Sequence, residues 1–320
     1  MLEKGFNDCL IRRFCDKNYL TGKCTHFRVP ANPEEGFNFE YVLIVPELIK
    51  KNTKLILEGM NYSTEKHFTE EEGIEYLYEK SKSFRHPIHY CNSDTNYCIL
   101  LPLIPRYYDD KLNLEIYTNQ LSSPCFSKEI KEKYYRIDIQ IIAMINDATK
   151  RMALNNLSIA KKIIVEGFSA SGKFANRFTL LHPEYVELCI AGGLAGTLIL
   201  PFSKLSGKDL IYPVGISNIA DITEKKIAQF KKVKQFYYFN LKDSVDCFCQ
   251  VGGEPYYKGI ILKSEMLLLY DILGISPEIR WQNSKKFYSC CENVIFKEYN
   301  EVHNYNLEIM NDIKNLLNSL

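Results

Sequence analysis

Histidine is scarce in this chain, with 6 among 320 residues, and its 11 cysteines include no C-x-x-C pair. Structural zinc sites draw their ligands from such spacings, so no metal centre is expected. The cysteine count is odd, and neither Cys247/Cys249 nor the adjacent Cys290/Cys291 forms a simple disulfide pair within itself. Cys98 and Cys189 lie in apolar runs, where a thiol acts as a small hydrophobe. A reduced, cytoplasmic setting is therefore expected. The N-terminus lacks an apolar core of signal-peptide length, and no apolar run is long enough to span a bilayer. Neither sign of charge dominates, with Lys+Arg 40 against Asp+Glu 39. No sustained basic run occurs, so neither nucleic acid nor an anionic membrane is an expected partner. The brief patches at Lys131 to Tyr135 and Lys231 to Lys234 read as solvated surface. Internal repeats, low-complexity tracts and linkers are all missing.

What is present suits one large core. Hydrophobic residues make up 46% of the chain, enough for a single α/β domain of this length. Residues 1–36 are poorly periodic and read as an irregular or helical lead-in packed on a domain spanning 37–320. Strand-like runs follow at 37–45, 54–61 and 96–106. Over Arg136 to Leu154, the residues Ile137, Ile141, Met144, Ile145, Ala148 and Met152 share one helical face. A strand at 162–166, a helix ending at Leu181-His182-Pro183 and a strand at 185–191 come next. Residues 195–234 are irregular and read as a cap or an insertion over the sheet edge. Strands at 235–240 and 293–299 precede a last helix with Leu307, Met310, Ile313, Leu317 and Leu320 on one face. Strands alternating with helices predict a mainly parallel sheet covered on both faces.

The most informative stretch is Lys162-Lys-Ile-Ile-Val-Glu-Gly167-Phe-Ser169-Ala-Ser171-Gly172-Lys173-Phe174. A β-branched run leads into a serine flanked by small residues and then into a helix former. That is the grammar of a nucleophile elbow, a turn that lifts one hydroxyl clear of the sheet. Small residues are needed two places before and after the serine, and Gly167 and Ser171 supply them.

Functional groups of a parallel sheet gather beyond the carboxyl ends of its strands. Ser169, Asp243 and His303 each follow a strand, with Asp246 close behind Asp243. A serine hydroxyl needs an imidazole to take its proton, and the carboxylate fixes the imidazole's tautomer. The oxyanion needs backbone N–H donors, expected from Ala170 and from Asn61 or Tyr62. Asp243 is preferred over Asp246 because it lies nearer the strand end. His182, at a helix end before proline, reads as capping chemistry.

The same stretch also matches the first seven positions of the phosphate loop G-x-x-x-x-G-K-[ST], from Gly167 to Lys173. Its eighth position is Phe174, which has no hydroxyl for Mg²⁺. A degenerate nucleotide-binding loop is thus the lesser reading.

On these residues the chain resembles the α/β-hydrolase superfamily on its esterase, lipase and depolymerase side, over roughly residues 38–320. The resemblance is carried by Leu55-Ile-Leu-Glu-Gly-Met-Asn61, Gly167 to Gly172, Arg177-Phe, His182-Pro-Glu, Asn240-Leu-Lys-Asp243 and Glu301-Val-His303. It extends to uncharacterised bacterial hydrolases with a Tyr-Arg-x-Asp-x-Gln segment, here Tyr135 to Gln140. It implies a hydrolase of a small-molecule ester with Ser169 as nucleophile, His303 as base and Asp243 as orienting acid. No metal or organic cofactor is implied. Two departures stand out: Ser171 replaces the second motif glycine, and Asn240 replaces the glycine usual after the acid-bearing strand. The second functional reading is a catalytically silent scaffold of the same fold that binds a small ligand or a partner.

Overall fold

Runs rich in Val, Ile, Leu, Tyr and Phe build one nine-stranded sheet at the centre of the molecule. The structure is a computed structural model and describes residues 4–6, 8, 10–14, 24–61, 68–82, 87–248, 250–251, 254–255 and 262–320. In chain order the strands are β1 (Leu10–Phe14), β2 (Cys24–Val29), β3 (Tyr41–Pro46), β4 (Leu55–Glu58), β5 (Cys98–Pro102), β6 (Ile163–Phe168), β7 (Val186–Gly192), β8 (Lys234–Asn240) and β9 (Val294–Tyr299). Their spatial order is β1-β2-β3-β5-β4-β6-β7-β8-β9. The pairings from β1 through β3 to β5 are antiparallel. From β5 through β4 to β9 every pairing is parallel.

The order reverses at β4 and β5, which sets β4 directly against β6. Glu58 and Glu166 are register partners, so Gly59 leaves its strand beside Gly167. Two loops thus emerge side by side at the carboxyl edge, as expected where a parallel sheet changes direction.

Side chains alternate between two cores, as the two-residue strand period requires. Ile163 and Val165 face one core, while Ile164 and Phe168 face the other. The first core is closed by α2 (Ile137–Ala153), α3 (Ala170–Leu181), α4 (Glu224–Lys232), α5 (Lys263–Leu273) and α6 (Pro277–Phe287). The second is closed by α1 (Glu70–Ser81) and α7 (Leu307–Asn318). Among the described residues, no helix is long and apolar enough to cross a membrane.

The α2 face lies as its periodicity predicts, with all six apolar positions buried. The α7 face differs from expectation. Ile309, Ile313 and Leu317 form its buried stripe, whereas Leu307 is 65% exposed. The stripe runs at i, i+4, i+8 from Ile309, and Leu307 stands at the first helical position on the solvent side. Burying each of those three side chains contributes about 1.5–3 kcal/mol.

Residues 1–36 also differ from the irregular or helical lead-in expected of them. Their described part includes β1 and β2, which extend the sheet beyond β3. Residues 195–232 connect β7 to β8 through a small hairpin at Lys204–Leu205 and Lys208–Asp209, followed by α4. Their apolar side chains Leu198, Leu200, Leu210, Tyr212 and Val214 pack into the same core as α3.

The Tyr135 to Gln140 segment ties α2 to α3. Arg136, held at φ 51, meets Asp138 with two nitrogens, each 2.9 Å from a carboxylate oxygen. His182 Nε2 lies 2.9 Å from Asp138 Oδ2, so the imidazole at the end of α3 is a buried hydrogen-bond partner. Its capping role is confined to the backbone, through the N–H donated to Phe178 O. Burial opposes ionisation of Asp138, yet the hydrogen bonds and charges of His182 and Arg136 prevail and hold its carboxyl below the usual range. Asp138→Ala leaves both partners without their shared acceptor. It should lower unfolding free energy by about 3 kcal/mol in urea titration.

Candidate active site

The turn between β6 and α3 is built around an unusual backbone. Ser169 sits at φ 64 and ψ −122, a conformation that costs a non-glycine residue about 1–3 kcal/mol. The surroundings enforce it. Ser169 N–H donates to Gly192 O at 2.9 Å, and Lys173 N–H donates back to Ser169 O at 3.1 Å.

Gly167 is required by space alone. A Cβ there would lie 2.2 Å from the carbonyl oxygen of Ser171. Gly172, one place later than the usual motif glycine, also has a reason. Its Cβ would lie 2.5 Å from Gly192 O, so glycine lets the helix start approach β7. Gly167→Ala should lower stability by more than about 3 kcal/mol, read as loss of folded protein or a collapsed denaturation midpoint.

Ser171 does more than stay small. Its hydroxyl accepts from Phe168 N–H at 3.0 Å and donates to Phe168 O at 2.8 Å. The side chain is fully buried, so these bonds close the turn away from water. Asn61 then bridges the same turn from the β4 loop. Its Nδ2 donates to Phe168 O at 2.9 Å, and its Oδ1 accepts from Ser171 N–H at 2.9 Å. Lys80 on α1 donates to Asn61 O at 2.6 Å, which fixes the residue from a third side. Tyr62, the alternative donor position, lies outside the described residues. Ala170 is the first residue of α3, so its N–H is among those a helix leaves without an intrahelical acceptor.

Beyond β8 and β9, Asp243 and His303 meet. Asp243 Oδ2 is 2.7 Å from His303 Nδ1, and Asp243 Oδ1 accepts from Val245 N–H at 2.9 Å. The Asp243 side chain is 5% exposed and that of His303 22%. A carboxylate only accepts, so Nδ1 is the donor in this contact. The His303 ring packs against Phe168, the residue before Ser169, with centroids 4.7 Å apart.

Asp246 is engaged elsewhere. It pairs with Arg280 at 2.7 Å, and that guanidinium is wholly buried. It also accepts from Phe248 N–H at 2.9 Å.

Two supporting residues escaped the sequence reading of roles. Asn240, noted only as a departure from glycine, donates to Val302 O at 2.7 Å and to Asn304 O at 2.9 Å. It grips the chain on both sides of His303. Tyr305 donates to Glu166 Oε1 at 3.0 Å and lies 4.8 Å from the Phe168 ring, which anchors the same loop against β6. No sequence signal marks either contact, because each joins residues more than 60 positions apart.

The phosphate-loop spelling is not built as a cradle. Lys173 is 6% exposed and points inward, with Nζ 2.6 Å from Cys247 Sγ and 4.2 Å from the Phe248 ring centroid. A phosphate-binding lysine has to reach outward to its ligand.

Strand order, elbow and helical layers together define the α/β-hydrolase fold. LpqC, a poly(3-hydroxybutyrate) depolymerase from Bordetella parapertussis, is similar in structure over 93% of this chain and 89% of its own, with TM-score 0.55 and 10% identity. An S-formylglutathione hydrolase from Agrobacterium tumefaciens is similar over 96% and 98%, with TM-score 0.46 and 11% identity. No protein-family model matches the sequence, and no curated protein matches it.

Proposed function

We propose that this chain is a serine hydrolase cleaving a carboxylic ester or related acyl bond of a small molecule. Ser169 is the nucleophile, His303 the general base and Asp243 the orienting acid. The observation that carries the reading is the 2.7 Å contact of Asp243 with His303 Nδ1, on a ring packed against the residue before a serine at φ 64.

Ser169 Oγ attacks the carbonyl carbon while His303 Nε2 takes its proton. Asp243 holds the ring by Nδ1 and stabilises the imidazolium that forms. The N–H groups of Ala170 and Asn61 receive the oxyanion, and each such donor is worth about 10²–10³ in kcat. The imidazolium then gives its proton to the departing alkoxide, leaving an acyl group on Ser169. Water activated by the same imidazole releases the acid and restores the enzyme. The Asn61 assignment is supported by its side-chain bridge across the elbow, which sets this residue against the turn.

A fluorophosphonate probe tests the reading. Covalent labelling is expected, with peptide mapping placing the phosphonyl group on Ser169. An unlabelled but folded wild-type chain would favour a silent scaffold instead.

A further inference from the structure

We propose that Lys173 and Cys247 form an oxidation-driven Nζ–O–Sγ cross-link joining α3 to the loop that carries Asp243. The two atoms stand 2.6 Å apart. That separation is shorter than a nitrogen–sulfur hydrogen bond and fits the span of two atoms bonded to one shared oxygen. No backbone movement is needed to close the bridge.

The chemistry of both partners suits it. Lys173 is buried beneath the Phe248 ring, and desolvation holds its pKa below the ordinary lysine value against the raising effect of Cys247. Arg177 and Arg280 add to the lowering. The amine therefore gains neutral, nucleophilic character that a surface lysine lacks. Cys247 is partly exposed, so a small oxidant reaches it. Cys98, Cys125 and Cys189, by comparison, are buried away from any oxidant.

The oxidant is a peroxide. One equivalent converts the Cys247 thiol to a sulfenic acid and is reduced to water. A second hydroxylates the neutral Lys173 amine and likewise yields water. The hydroxylamine oxygen then attacks sulfur, the S–OH bond breaks, and a third water leaves with the hydroxylamine proton. Nitrogen and sulfur each lose two electrons, which match the four accepted by two peroxides. Thiol reduction reverses the change.

The link is independent of the role proposed for Ser169, since it is read as a covalent bond and not as turnover. Purified full-length chain is treated with hydrogen peroxide, alkylated, digested without reductant and mapped by mass spectrometry. The expected product joins the Lys173 and Cys247 peptides with a net gain of one oxygen and loss of two hydrogens. It disappears with dithiothreitol and in Cys247→Ser, and its formation raises the melting temperature of the wild type by several degrees. In Lys173→Arg, Cys247 should oxidise without joining. Recovery of unmodified Lys173 beside Cys247 as sulfinic acid, or in a disulfide, overturns the proposal. A joined pair lacking the oxygen overturns it too.

Discussion

Ser169→Ala should lower kcat on an activated ester by on the order of 10⁶-fold, while the melting temperature stays near that of the wild type. Alanine keeps a Cβ at φ 64, so the backbone strain is unchanged and only the hydroxyl is lost. Any residual rate above water would come from the oxyanion donors and binding alone. Hydrolysis of p-nitrophenyl esters of graded chain length provides the measurement and also reports acyl preference. A variant as active as the wild type would remove Ser169 from the chemistry.

The second large effect separates two neighbouring aspartates. Asp243→Asn should lower kcat by about 10⁴, because an amide neither fixes the imidazole tautomer nor stabilises the imidazolium. Asp246→Asn should act on stability instead. It removes the carboxylate from a fully buried Arg280, at a cost of about 3–5 kcal/mol, while the surviving folded enzyme turns over at a near-normal rate. Steady-state kinetics on both variants, alongside urea titration, distinguishes the two. A reversal of the kinetic effects would move the acid to Asp246.

The elements that sequence makes legible are those with strong local pattern. β6, β7 and β8 are apolar runs between turn signals, and α2 carries its apolar face at helical spacing. The elbow shows because its steric demand writes small residues at fixed offsets. Other elements are hidden for physical reasons. α6 buries Arg280, Trp281 and Ser284, so polar side chains occupy positions that periodicity expects to be apolar. Their burial is balanced by Asp246, by Ala195 O and by Gly196 O, all distant in sequence. In α4 only Phe230 is buried, too little for a stripe. β2 carries a buried His26 and a salt-bridged Arg28, which blur its alternation.

The same contrast holds at the site. The types and order of Ser169, Asp243 and His303 could be read because each ends a strand. The Asn61 bridge and the Asn240 grip could not, since both depend on which strands become neighbours. Ser171 illustrates the gap most directly. Size alone explains why a serine is tolerated there, but its two bonds to Phe168 appear only when the turn is closed.

Asn240 has a further consequence for how the site holds its alignment. By binding the carbonyls of Val302 and Asn304, it fastens the base to the strand that delivers the acid. Acid and base are therefore held to one another through β8, while Tyr305 ties the same loop to Glu166 on the serine's strand. The Phe168 contacts with His303 and Tyr305 join the base loop to the serine's strand, and the Lys173–Cys247 contact joins α3 to the acid's loop. Alignment of the serine with its base is set at those contacts.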